Sequence, residues 1–188
     1  MMCGAILVQN TRWENVEMSL NRLMRDESVT APEALLELPT EQLQTLIRPS
    51  GFMTAKAAAL QALARWVIAH DALSPTSPLR HYPDDELRGS LLAVRGVGPE
   101  TADVISLFAF DRVVFIWSTY ATRLLTALGH GNVRGKGYEA CRRDPRLDVD
   151  LSGFSAPEAQ ELHALTVRSG KSPEWLDGLS SSLPRLTP

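Results

Sequence analysis

Between two stretches that repeat at helical spacing, the chain compresses two glycines and a proline into six residues, Val94-Arg-Gly-Val-Gly-Pro99. Upstream, "PDDELRGSLLAV" puts acids in a first helical turn and spaces Leu87, Leu91 and Val94 for burial on one face. Downstream, Pro99 suits a first helical position, and Ala102, Ile105 and Phe108 continue one face of the next helix. The junction therefore reads as helix, tight turn, helix. Gly96 and Gly98 permit positive φ and a close backbone approach. The second helix aims its unsatisfied N–H groups outward, and such a nest attracts one phosphate without any basic side chain. As a plain structural element, the same turn serves only as a corner.

That distinction matters because the chain is slightly acidic. Its formal net charge is −3 over 188 residues, which disfavours a nucleic-acid binder acting mainly through Lys and Arg. Hydrophobic residues make up 44% and charged residues 22%, enough for one domain or two small lobes sharing a core. Two cysteines, Cys3 and Cys141, are too few for a disulfide framework or a four-thiolate iron–sulfur cluster. They suit a reducing compartment, and no stretch approaches the roughly 18 apolar residues of a membrane span. A cytoplasmic location is expected.

Helical periodicity recurs along the chain, with almost no period-two alternation. In "TRWENVEMSLNRLM", Thr11 and Glu14 make a capping-box pattern, and Trp13, Val16, Leu20 and Leu23 form one apolar stripe, predicting a helix over about 12–25. "TAKAAALQALARWVIA" predicts a long helix with Thr54 as N-cap and Leu60, Leu63, Ala64 and Val67 on one face. "LPTEQLQTLIRPSGFMTAKA" repeats the order of "YPDDELRGSLLAVRGVGPETA", with Leu43 eight residues before Gly51 and Leu87 nine before Gly96. Two similar hairpins in one helical body are expected. Residues 129–157 read as loop with short helices, "PEAQELHALTV" as a further helix, and "LSSSLPRLTP" as a loose tail.

In ordered combination, "GAILVQNTRWENVEMSL", "LIRPSGFMTAKAAALQALA", "LLAVRGVGPETADVISLFAFDRVVFIWSTYATRLLTALG" and "ELHALTVRSGK" resemble the endonuclease III-like, helix-hairpin-helix (HhH-GPD) superfamily of DNA glycosylases over roughly residues 4–171. The resemblance implies an all-α, bilobal endonuclease III-like fold. One lobe would be a helical bundle over 24–129 and the other would combine 1–23 with 130–188. Because the chain starts almost at the first core helix, a thin second lobe is expected. The implied partner is double-stranded DNA carrying a damaged base or an abasic site, acted on by a monomer with no membrane role, at the nucleoid of a bacterial-type cytoplasm. Chemistry on a base requires that the base leave the stack.

Carried onto this chain, Gly96, Val97 and Gly98 match the phosphate-holding hairpin, whose carbonyls in the family often also hold K+ or Na+. Gln9 matches the residue that fills the hole left by the flipped base, and Lys56 a DNA backbone contact. Plainer readings make Gln9 a helix end and Lys56 part of a solvated face. The chain also departs from the pattern. Glu100 stands where bifunctional relatives carry a Schiff-base lysine, which excludes a β-lyase reaction through that lysine. Ser118, after Trp117, stands where the family has an aspartate that stabilises the oxocarbenium-like charge and helps activate water. Serine caps a helix as well as aspartate does, so the change keeps the fold while deleting the charge. No side-chain metal site and no iron–sulfur cofactor are expected.

Glu100 and Asp103, three apart on one helix, are the replacement carboxylates nearest the hairpin; first-turn complementarity to the helix dipole is the alternative for Glu100. Arg134, Lys136, Arg142, Arg143 and Arg146 could meet phosphates or simply be solvated, and His163 could line a cleft or simply pack. Three functions remain open: a monofunctional glycosylase weakened at Ser118, a catalytically inactive lesion-binding protein, and a helical protein-interaction module.

Overall fold

The computed structural model describes residues 1–26, 31–130, 133, 135–147, 149–172 and 174. Arg134 and the tail 179–188 lie outside the described residues. Among those described there are helices and turns but no strand, and no helix is long and apolar enough to cross a membrane. In chain order the helices are α1 (Met2–Leu7), α2 (Trp13–Arg25), α3 (Pro32–Glu37), α4 (Thr40–Leu46), α5 (Met53–Ala69), α6 (Asp84–Leu92), α7 (Pro99–Ala109), α8 (Thr119–Ala127), α9 (Tyr138–Arg142) and α10 (Ala156–Gly170). Short 3-10 turns lie at Arg48–Ser50, Pro78–His81 and Pro145–Leu147.

The chain divides into two compact units, Met1–Phe110 and Asp111–Pro188. The first has α5 at its centre, burying Ala57, Leu60, Leu63, Ala64 and Val67 beneath α3 and α4, with α1 packed on α2, α5 and α7. Residues 1–23, expected beside the C-terminal segment, thus pack within the first unit, and the division falls at 110/111 rather than at 129. The physical reason is that α1 buries Ala5, Ile6 and Leu7 in the same apolar cluster as Leu60, Leu87 and Ile105. Trp66 closes that core, its indole N–H donating to Ser90 Oγ at 2.8 Å and its ring meeting Phe110 edge-on.

The two predicted hairpins are present. Leu43 and Leu87 are each fully buried, and each hairpin turns at a glycine of positive φ, Gly51 at 69° and Gly96 at 86°. The two hairpins differ at the residue after that glycine. Phe52 takes a left-handed φ of 48° and stays 67% exposed, whereas Val97 tucks into the core.

Two caps differ from expectation. Arg12, not Thr11, precedes α2, since the helical ladder begins with the Asn15 and Val16 amides on the Arg12 carbonyl; the Thr11 hydroxyl accepts from Asn15 Nδ2 at 2.9 Å. α5 starts one residue before Thr54, with Phe52 as its N-cap and the Lys56 amide donating to the Phe52 carbonyl. Trp13 lies off the apolar stripe, half-exposed, with its indole N–H on Glu17.

In the second unit, α8 and α10 pack together. Gly170 permits this, since a Cβ there would stand 2.7 Å from the Tyr120 carbonyl oxygen. A separate core gathers Trp117, Val133, Cys141 and Leu147.

Candidate nucleic-acid interface

The α6–α7 turn is built by alternating burial. Val94 and Val97 point into the core, while Arg95 and Gly96 face solvent. The Val97 amide donates to the Val94 carbonyl at 3.0 Å, closing the turn. Gly96 is required twice over: its φ is left-handed, and an added Cβ would sit 2.4 Å from Ala59 Cβ on α5. Val97 contributes only backbone to any surface, because its side chain anchors the turn from below.

Gly98 differs from Gly96. At φ −89° and ψ 177° its backbone is ordinary extended chain, and a Cβ there would meet nothing within 4 Å. No internal contact demands glycine at 98. Pro99 follows at the first helical position as predicted, and the Ala102 amide donates back to the Gly98 carbonyl at 2.9 Å. The amides of Glu100 and Thr101, with that of Gly98 just ahead, have no intrahelical acceptor. Amides so placed at a helix N-terminus are the groups through which an anion can be accepted.

Gln9 joins this element directly. Its carboxamide Nε2 donates to the Gly96 carbonyl at 3.1 Å and to the Thr101 hydroxyl at 2.9 Å. A residue 87 positions upstream is therefore held on the turn itself. Thr101 was not legible as part of the site, because its hydroxyl acquires a role only when α1 and α7 meet.

Lys56 corrects the expectation of a DNA contact. It is 3% exposed, and its ammonium donates to the carbonyls of Leu7 and Ser50 at 2.8 and 2.7 Å. Burial pushes its pKa down from the usual lysine value. The sequence shows its charge but not that α5 turns it inward.

The carboxylates separate into two kinds. Asp103 is buried and ion-paired with Arg88, whose Nε lies 2.6 Å from Oδ1; it belongs to the α6–α7 packing. Glu100 keeps solvent access beside the turn, yet desolvation by surrounding protein pushes its carboxyl above the ordinary glutamate range. Helix-dipole complementarity alone would act the other way.

In the second unit, Ser118 caps α8 as expected: its hydroxyl accepts from the Ala121 amide at 3.2 Å. It is 2% exposed, so its lone pair is engaged in holding the helix. His163 lines a small cavity with Phe115, Ile116 and Leu162, and burial lowers its pKa. The basic segment is partly self-neutralised. Lys136 and Arg146 both pair with Asp144, and Arg143 pairs with Glu139. The hydrogen bond from Arg146, then that from Lys136, holds the Asp144 carboxyl far below the usual range. Among the described residues no cluster of His, Cys, Asp and Glu could hold a metal ion.

Two packed helices, a glycine turn fixed from beneath and free amides at the second helix define a helix–hairpin–helix element of the kind that receives a phosphate backbone. The chain belongs to the HhH-GPD superfamily of base excision DNA repair proteins, which matches residues 3–165. A Methanocaldococcus jannaschii protein with the provisional name DNA repair glycosylase is 35% identical over 172 residues, covering 89% of this chain and 74% of its own. A trapped covalent endonuclease III–DNA intermediate matches with a TM-score of 0.65 at 22% identity, over 98% of this chain and 79% of that one. The H. pylori 3-methyladenine DNA glycosylase bound to 1,N6-ethenoadenine gives 0.61 at 24% identity, over 96% and 78%. At these identities the structural likeness speaks for the all-α endonuclease III-like fold.

Proposed function

We propose that the protein is a DNA N-glycosylase that grips damaged duplex DNA through the Gly96–Gly98 hairpin and releases the base by hydrolysis, without lysine-dependent strand cleavage. The observation that carries this reading is Gly98: a glycine in an unstrained conformation, facing open space, beside unsatisfied helix amides. A close external partner explains a missing side chain that nothing internal explains. Family membership and the M. jannaschii relative support DNA as that partner.

Gln9 and Phe52 are assigned to the duplex interior. Gln9, with both Nε2 hydrogens engaged on Gly96 and Thr101, keeps its carboxamide Oε1 as an acceptor for a hydrogen bond orphaned by a displaced base. Phe52 is an exposed aromatic in a strained left-handed conformation, the kind of apolar wedge that unstacks a base step. Its sequence signal was an aromatic directly after the hairpin glycine, where a polar cap is usual.

Catalysis lacks the carboxylate that Ser118 replaces, and loss of general-base assistance costs about 10²- to 10⁴-fold. Glu100 is assigned as the remaining acid–base group, since desolvation moves its pKa toward neutrality, where a proton-transfer group works best. The Gly96 carbonyl accepts from Gln9 with one lone pair and keeps the other for K+ or Na+; a bound cation would add positive charge beside the phosphate. The buried, engaged hydroxyl of Ser118 favours a second reading, a lesion-binding protein without turnover.

One experiment separates them. Duplexes carrying uracil, an oxidised pyrimidine, an alkylated purine or an abasic-site analogue are scored for base release and for binding. Release abolished by Glu100→Gln and raised by Ser118→Asp establishes the glycosylase. Tight lesion binding with no release establishes the second reading, and no preference for DNA over another polyanion rejects both.

A further inference from the structure

A lysine ammonium is a strongly hydrated point charge, and Lys56 takes it out of water. It donates to two carbonyls, those of Leu7 and Ser50, and burial opposes its charge. An apolar side chain of similar volume could fill the space without that desolvation, so packing alone does not account for the ammonium.

The two carbonyls stand at matching places in the chain. Leu7 is the last residue of α1, two before Gln9. Ser50 ends the 3-10 turn, two before Phe52. From one buried charge, both segments therefore reach the surface within two residues. The Phe52 branch is braced further: the Ser50 and Ser19 hydroxyls are 2.7 Å apart, and the Ser19 hydroxyl donates to the Asn15 carbonyl at 3.0 Å. The Gln9 branch is braced by Gly96 and Thr101. Phe52 is thus fixed at its base and Gln9 both at its base and through its own carboxamide, while Phe52 remains exposed in a conformation that L residues rarely adopt.

We propose that Lys56 is a positioning residue that holds the Gln9 and Phe52 tips at a set separation, so that both enter a distorted base step together. This rests on the assignment of those two residues to the duplex interior. Lys56 itself touches no DNA.

The test compares wild type, Gln9→Ala, Phe52→Ala, Lys56→Met, Lys56→Arg and Lys56→Met/Phe52→Ala. Affinities are measured for a duplex with a tetrahydrofuran abasic site and for the undamaged duplex, with thermal unfolding of each protein. Lys56→Met is expected to stay folded and to lose lesion discrimination by a factor on the order of 3- to 30-fold, the scale of coupling between linked sites. Undamaged-duplex affinity should hold, and the double variant should lose no more than Phe52→Ala alone. A folded Lys56→Met with wild-type discrimination, or additive losses in the double variant, overturns the proposal. Should Lys56→Met not fold, the longer, planar Lys56→Arg must show the same loss; unchanged discrimination, or failure of both to fold, reduces Lys56 to a structural role. If Gln9→Ala and Phe52→Ala themselves discriminate like wild type, the assignment of the tips fails instead.

Discussion

Replacing each hairpin glycine by alanine should give opposite results. At Gly96 the new Cβ would stand 2.4 Å from Ala59 Cβ and 3.3 Å from its Cα, and φ is +86°. A left-handed L residue costs about 1–2 kcal/mol, and overpacking costs about 1–3 kcal/mol more. Against a total stability of about 5–15 kcal/mol, Gly96→Ala should lower Tm by several degrees, at about 2–4 °C per kcal/mol for a chain of this size. At Gly98 the backbone is unstrained and the Cβ meets nothing. Gly98→Ala should therefore leave Tm unchanged or raise it, since restricting the unfolded chain contributes about 0.4–1 kcal/mol. If a phosphate packs against the Gly98 backbone, the methyl group intrudes on it at about 1–3 kcal/mol, a loss of affinity of about 5- to 150-fold. Thermal unfolding and fluorescence anisotropy on a labelled duplex read both quantities. A Gly98→Ala protein that binds DNA like wild type would refute the argument that the partner, rather than the fold, requires that glycine.

Ser118→Ala should cost about 0.5–2 kcal/mol through loss of the α8 cap, read by thermal unfolding, whereas Ser118→Asp should preserve stability. Removing one partner of the buried Arg88–Asp103 pair, as in Asp103→Leu, should cost about 3–5 kcal/mol; the double change Arg88→Met/Asp103→Leu should recover much of it, and additive losses would contradict the pairing. Glu100 has a folded pKa raised by desolvation, so its contribution to stability is present below its unfolded pKa and lost as pH rises through the folded value. The Tm difference of Glu100→Gln over wild type should consequently be more favourable near pH 7 than near pH 4, and an equal difference at both would contradict the shift.

The helices were legible where periodicity ran long. α2, α5, α6, α7 and α10 follow from the i, i+3, i+4 recurrence of Val, Leu and Ala, and both hairpins from a glycine after a buried leucine. α3, six residues long, is too short for a periodic signal. The caps were less legible. Thr11 and Thr54 have the right chemistry, but the α2 ladder begins on the Arg12 carbonyl, past the first, and the left-handed Phe52 starts the helix before the other. At α10 the structure adds a capping box in "SAPE", where the Ser155 amide and hydroxyl both donate to Glu158. Within the candidate site, Gly96 and Gly98 stood out by residue type, and Gln9 and Ser118 through the family resemblance, while Thr101 and Arg88 are ordinary until a partner helix gives each a role.

The sequence by itself determined the helical class, the glycine turn between two helices, and a thiol count too low for a four-cysteine cluster. These are properties of residue identity and of neighbours three or four positions away; that Glu100 stands for a lysine and Ser118 for an aspartate came through the family resemblance. Only the tertiary structure decided which polar groups lie inside and which apolar ones outside. Lys56 and Asp103 are enclosed while Phe52 and Trp13 face solvent, because burial is set by whatever element packs across a face, and that element lies tens of residues away along the chain.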